Sequence, residues 1–269
     1  MKFLKPLIYI VLPILLLGSC SKYQRLLKSS DYELKFVKAK EYFEEENYAK
    51  ALPLLEELMT IFRGTDKGED VYYYYAKCYF AEEDYVLSSY HLKNFVRTYP
   101  TSSRAEECLF LSALSYYFDS PKYSLDQSSS YLAIQEFQLF VNQFPESQKV
   151  KESNEYIDKL RLKLETKSYE LAKLYFHTEN YKSAITTFNN TLKDFPSTIY
   201  KEEILFLTLR SGFLLANNSV EIKKLERFKN AESFYYKFAD AFPQSKNKKE
   251  ADAMLVKIKQ NLELLEKQL

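Results

Sequence analysis

The 269 residues carry 38 basic and 37 acidic side chains, a formal net charge of +1, and this balance removes the simple electrostatic case for nucleic acid, which wants a clearly basic domain. Only 4 glycines stand beside 24 Tyr and 20 Phe, with no Trp. Tight β-hairpin turns need residues at φ > 0, so this composition argues against β-rich folds, while the aromatics supply enough area for a real core.

Lys2 and Lys5 lead an apolar run from Leu7 to Leu17. A run of about eleven residues falls short of the roughly 20 that cross a bilayer core, so residues 1–19 read as a signal peptide. The run ends Leu17-Gly18-Ser19-Cys20, which resembles the lipobox of bacterial lipoproteins. That resemblance implies acylation of the Cys20 thiol and cleavage just before it, so that Cys20 becomes the lipid-bearing first residue. The plain alternative is an ordinary signal peptide with a cysteine at its cleavage site. Residues 20–30 read as a lipidated tether. Ser21-Lys22-Tyr23-Gln24 lacks the acidic cluster that resembles a surface-export signal, which favours an anchor facing the periplasm.

Internal repeats organise the rest. An aromatic, a proline and, two residues on, Ser or Thr recur as Tyr99-Pro100-Thr101-Ser102, Phe144-Pro145-Glu146-Ser147, Phe195-Pro196-Ser197-Thr198 and Phe242-Pro243-Gln244-Ser245. The prolines are 45, 51 and 47 residues apart. Proline stops one helix, and the hydroxyl caps the next by accepting a backbone N–H. Asn47-Tyr48, Asp84-Tyr85 and Asn180-Tyr181 mark short polar turns that fold the second helix of a pair onto the first.

This pattern looks like the 34-residue tetratricopeptide repeat. Its small, aromatic and proline positions are filled by Ala172, Tyr175, Tyr181, Ala184, Phe188 and Pro196 in the fourth unit, and by Ala76, Tyr79, Tyr85, Ser88 and Pro100 in the second, where Leu92 stands in place of the last aromatic. The first unit has Ala39, Tyr42, Tyr48 and Ala51 but Arg63 in the place of proline; the third has Ala113, Tyr116, Ala133, Phe137 and Pro145; the fifth has Ala231, Tyr235 and Pro243. Long inner turns are expected near Ser120–Ser128 and Asn217–Ser219. The expectation is an all-α, right-handed α-solenoid of about five tetratricopeptide-like helix pairs. A linking helix over Lys149–Leu164 and a capping helix over Lys248–Lys267 complete it. Units one to three occupy 31–147, and the linking helix, units four and five and the cap occupy 148–269.

The order lipobox, short tether, three repeats, linking helix Tyr156-Ile-Asp-Lys-Leu-Arg-Leu-Lys-Leu-Glu and Tyr169-Glu-Leu-Ala-Lys-Leu-Tyr-Phe resembles the BamD, or YfiO-like, family of outer-membrane lipoproteins. Ile61-Phe62-Arg63-Gly64-Thr65 departs from that family's repeat ending. The resemblance implies residence on the periplasmic face of the outer membrane, held there by the lipid anchor. It implies contact with the periplasmic domains of a BamA-like β-barrel insertase through units three to five, and handling of unfolded outer-membrane protein precursors. The implied activity is scaffolding. A scaffold for periplasmic proteases or peptidoglycan enzymes, or a glycan-capturing lipoprotein, is the alternative.

First helices of this repeat line a concave face. Phe36, Tyr73 and Phe110 fall 37 residues apart, with Lys40, Lys77 and Leu114 four residues after them. Phe36, Lys40, Tyr73, Lys77 and Phe110 are therefore the candidate groove for an extended peptide. Phe43, Phe80 and Tyr117 read as packing between helices. His91 and His177 lie in separate helices with no Glu or Cys at metal-ligand spacing, and no Gly-rich phosphate loop or nucleophile elbow is present. The chain is thus expected to be no enzyme, to hold no metal, and to need no cofactor beyond the covalent lipid on Cys20. Cys78 and Cys108 sit in apolar helical runs and read as buried thiols, although an oxidising periplasm permits their pairing.

Overall fold

The computed structural model describes residues 22–267; the expected signal peptide, Cys20 and its expected lipid lie outside them. The described residues form helices and connecting turns, with no strand among them. The helices are α1 (22–27), α2 (Tyr32–Glu44), α3 (Tyr48–Ile61), α4 (Asp66–Ala81), α5 (Tyr85–Thr98), α6 (Ala105–Asp119), α7 (Ser128–Gln143), α8 (Val150–His177), α9 (Tyr181–Asp194), α10 (Lys201–Asn217), α11 (Glu221–Ala241) and α12 (Lys248–Glu266). Among the described residues they fall into two compact units: 22–121 with Gln127–Leu160, and Lys122–Asp126 with 161–267.

In the first unit each helix packs on its successor from α2 to α7, and the first helices of neighbouring pairs also touch, α2 with α4 and α4 with α6. In the second unit α9 packs on α10, α10 on α11 and α11 on α12. Stacked helix pairs of this kind are the all-α solenoid arrangement expected from the repeats. The small-residue positions explain the close crossings. Ala39, Ala51, Ala76, Ser88, Ala113, Ala133, Ala172, Ala184 and Ala231 are all fully buried, as are Phe137 and Phe188 from the aromatic positions. A larger side chain at any of these alanines would push two helix axes apart. In the last pair Gly212 plays this part, since a Cβ there would lie 2.7 Å from the Phe234 ring.

The inner turns of three pairs share one backbone device. Glu46, Glu83 and Glu179 sit at φ of 57°, 60° and 60°. The next N–H reaches back to the preceding helix: Asn47 to Tyr42 O at 2.7 Å, Asp84 to Tyr79 O at 3.0 Å, and Asn180 to Tyr175 O at 2.9 Å. Glycine is the usual occupant of such a left-handed helix end, and a residue with a Cβ costs about 1 kcal/mol more there.

The outer turns carry a second device. The hydroxyls of Ser102, Ser147, Thr198 and Ser245 accept the backbone N–H two residues on, at 3.0, 3.1, 3.1 and 3.0 Å. The same hydroxyls donate, each at 2.6 Å, to Glu69, Glu106, Glu165 and Glu202, which stand on the first helix of the same repeat. Each hydroxyl thus ties the end of a pair to its beginning. The first pair lacks the motif and is closed otherwise. Gly64 takes φ 76°, and Gly68 packs so closely that a Cβ would lie 2.5 Å from the Phe62 carbonyl oxygen. Lys67 there forms an ion pair with Glu33.

Two segments differ from the reading of the sequence. The linking helix and the first helix of the fourth unit are one 28-residue helix, α8. No Gly or Pro interrupts Leu164-Glu165-Thr166-Lys167-Ser168, and Thr166 returns its hydroxyl proton to the Leu162 carbonyl at 2.8 Å, which helices tolerate. In the segment read as a tether, residues 22–27 are helical, and Tyr23, Leu26 and Leu27 pack against the Phe36–Leu54–Leu58 core.

Candidate interaction surface

The helix periodicity of α2, α4 and α6 puts Phe36, Tyr73 and Phe110 at equivalent places, but not in an open groove. Phe36 and Phe110 are only 5 % and 2 % exposed. Phe36 meets Tyr74 edge-on, and Phe110 packs on Phe137 and Phe140. Rings so enclosed cannot offer a face to a peptide, so these two expected groove residues are core residues. The rings belonging to the packing set behave as expected: Phe43 packs on Tyr48 and Tyr74, Phe80 on Tyr85 and Phe118, and Tyr117 on Tyr156.

What reaches the surface is a cation over each ring. Lys40 Nζ lies 4.7 Å from the Phe36 ring centre, and Lys149 Nζ lies 4.3 Å from that of Phe110. Tyr73 is covered by the Arg104 guanidinium at 4.5 Å and by Lys77 Nζ at 5.6 Å. The stems of these side chains seal apolar surface while their charged ends stay wet.

Glu107 is the centre of this arrangement in the first unit. It accepts from Tyr73 Oη at 2.9 Å and from Lys77 Nζ at 2.7 Å. Burial pushes its carboxyl up. The hydrogen bonds from Lys77 and Tyr73, with the charges of Lys77 and Lys149, outweigh burial and hold it below the usual carboxylate range. Burial and the Glu107 hydrogen bond push the Tyr73 phenol well above its ordinary value. Arg104 pairs with Asp70 beside them.

The same i, i+4 device recurs in the second unit, at residues the sequence reading did not single out. Lys173 Nζ lies 4.8 Å from the Tyr169 ring centre, and Arg210 covers both Phe176 at 5.3 Å and Phe206 at 5.9 Å. Tyr169 and Phe206 are again 37 residues apart, which is the spacing of Phe36, Tyr73 and Phe110. Arg210 pairs with Glu250 at 3.5 Å and borders an open cavity of about 400 Å³ lined also by Ile199, Phe206 and Lys246. The step from Phe110 to Tyr169 is 59 residues, because the start of α8 intervenes, so the 37-residue register finds both pairs only when it is restarted at Tyr169.

Cys78 and Cys108 are free thiols with no exposed surface. Burial, reinforced by the charge of Glu82 near Cys78 and of Glu107 near Cys108, raises both to about 12. His91 is enclosed by Tyr72, Tyr75, Tyr79 and Tyr90. Among the described residues, no three His, Cys, Asp or Glu side chains are grouped to hold a metal ion, and no helix is long and apolar enough to cross a membrane.

The sequence model of the YfiO family, described as an outer membrane lipoprotein, matches residues 29–225. Over 124 residues the chain is 25 % identical to the outer membrane protein assembly factor BamD of Rickettsia prowazekii (strain Madrid E). That match covers 46 % of this chain and 49 % of the relative, so the alignment spans about half the length of each. A solved chain of the yeast histone chaperone Hif1, a scaffold protein recruiting protein complexes to core histones, aligns over 92 % of this chain and 98 % of its own. It is 13 % identical with a TM-score of 0.28, too low to carry an argument.

Proposed function

Because this chain belongs to the YfiO family of outer membrane lipoproteins, we propose that it is an outer membrane protein assembly factor, anchored by a lipid on Cys20 and facing the periplasm. Its work is binding rather than bond-making. Units three to five contact the periplasmic domains of a BamA-like β-barrel insertase, and the first-helix surface receives unfolded outer-membrane precursors.

The observation that carries this reading is the family match over residues 29–225, which runs through the stacked pairs from α2 into α11. The geometry supports it in one respect. Lys40, Lys77, Lys173 and Arg210 present charged ends above rings fixed in the packing, so each cation is positioned before any partner arrives. Such cations suit the C-terminal carboxylate and the backbone carbonyls of an extended chain. Lys77 is shared with Glu107, and a precursor carboxylate would compete for it.

Depletion of the chain in its host tests the proposal. Folded β-barrels in the outer membrane should fall while other lipoproteins hold their level; unchanged barrel levels would overturn it.

A further inference from the structure

The N-terminal end of the first unit is built without slack. Tyr23 Oη donates to the Lys50 carbonyl at 3.0 Å, tying α1 to α3. Lys35, only 1 % exposed, donates to the Leu27 carbonyl at 2.9 Å and pairs with Glu57 at 2.5 Å. Leu26 and Leu27 complete the fixation by entering the core. A buried ammonium that binds the last carbonyl of a short helix holds that helix in one place, because freeing the carbonyl leaves a buried charge underpaired.

Cys20 stands two residues before Lys22, so their Cα atoms are at most about 7 Å apart. The polar layer of a bilayer leaflet is itself roughly 5–8 Å deep. With the Cys20 sulfur in the lipid, α1 therefore begins in or directly on the headgroup layer, and α1 is fixed to the first helix pair.

The surface offered at that place is basic. Lys22, Arg25 and Lys28 are exposed, and no acidic residue precedes Asp31 in the sequence. Among the described residues no carboxylate pairs with any of these three. Lys22 and Arg25 share an open depression of about 600 Å³ with Lys38, Leu26, Leu34 and Tyr42. Glu41 and Glu45 also line it, and Lys38 pairs with the first of them. Leu34 and Val37 on α2 are 44 % and 47 % exposed, so apolar area adjoins the cations.

We infer that α1 and the adjoining face of α2 form a membrane-seating surface: Lys22, Arg25 and Lys28 bind anionic phospholipid headgroups, and Leu34 and Val37 rest in the interfacial layer. The lipid on Cys20 supplies the anchoring; the surface sets how the first repeat stands on the bilayer. Each Lys or Arg near an anionic surface strengthens binding severalfold, and the three act together. The inference rests on the lipoprotein reading of Cys20, which mass measurement of the acylated N-terminal peptide tests separately.

The direct test uses the whole mature chain with Cys20→Ala, so that no acyl chain contributes. Flotation is measured with vesicles of phosphatidylcholine alone and with vesicles containing phosphatidylglycerol as well. The chain should prefer the anionic vesicles, and Lys22→Gln with Arg25→Gln and Lys28→Gln should weaken that binding about a hundredfold. Lys249→Gln with Lys257→Gln and Lys259→Gln removes the same charge from exposed positions of α12 and should leave binding unchanged. Three results overturn the inference: equal binding to both vesicle types, equal losses in the two triple variants, or displacement by inorganic phosphate beyond that caused by chloride at matched ionic strength. Unaltered circular dichroism of the variants keeps a folding defect from imitating the expected loss.

Discussion

The Ser102 hydroxyl donates to Glu69 Oε1 at 2.6 Å, across 33 residues of sequence, while accepting the Arg104 N–H at 3.0 Å. One oxygen therefore orders the start of α6 and fastens it to the start of α4. Glu69 is only partly buried, so solvent screens part of the bond. Ser102→Ala should cost about 1–2 kcal/mol in urea unfolding, in the range for a hydrogen bond to a charged group. Ser103→Ala, one residue along and exposed, should stay within about 0.5 kcal/mol. A double-mutant cycle of Ser102→Ala with Glu69→Ala should show coupling; additive losses would mean that the two side chains act separately.

Much of this construction can be read from the sequence. The alanines at 39, 51, 76, 113, 133, 172, 184 and 231 are where paired helices cross, and the sequence pattern alone places them. The aromatic-Pro-x-Ser/Thr turns are equally legible, but only half of their chemistry is. The capping role follows from local rules, whereas the carboxylates at 69, 106, 165 and 202 lie far along the chain and emerge only when the pairs stack. Glu46, Glu83 and Glu179 occupy φ > 0 positions where composition suggested that such turns would be few, because tertiary packing overrides the preference for glycine. The continuity of α8 is hidden for a different reason. The repeat pattern predicts a boundary where nothing in the residues stops a helix.

The groove residues divide by burial. Periodicity says which residues share a face, but it does not say whether the ring or its neighbouring cation reaches water. Phe36 and Phe110 turn inward, leaving Lys40, Tyr73 and Lys77 as the accessible members of the expected set. Lys40→Glu combined with Lys77→Glu should reduce binding of a precursor-derived C-terminal peptide about tenfold or more, since two attractive contacts become repulsive. Helicity should hold. Unchanged peptide binding in fluorescence anisotropy would remove these cations from precursor recognition.

Cys78 and Cys108 make a sharp chemical prediction. Thiolates are the reactive form, and thiols raised to about 12 hold almost none of it at neutral pH. In the Cys20→Ala chain, both should resist a thiol-disulfide reagent in the native state and react fully in denaturant. Rapid reaction of either thiol in the folded chain would contradict their burial.

His91 stacks on Tyr79 at 5.2 Å, and Tyr75, Tyr72 and Tyr90 approach it edge-on. Its Nδ1 is buried without a hydrogen-bond partner. Burial lowers the imidazole below its ordinary value, and the charge of Asp84 opposes this in part. The folded state thus favours neutral His91. Its contribution to stability is complete above the unfolded value near 6.5 and is lost as pH falls towards the lower folded value, because the unfolded chain takes up the proton first. The Tm should accordingly fall more between about pH 7 and pH 5 in the native sequence than in His91→Phe. Parallel pH profiles would show that His91 does not titrate differently in the two states.

The most direct test of the assembly-factor proposal is affinity purification of the tagged, membrane-anchored chain in mild detergent, followed by mass spectrometry. A stoichiometric outer-membrane partner that combines periplasmic repeat domains with a β-barrel is the predicted result. Recovery of periplasmic proteases or peptidoglycan enzymes in its place would contradict the assembly role and leave the helix-pair fold untouched.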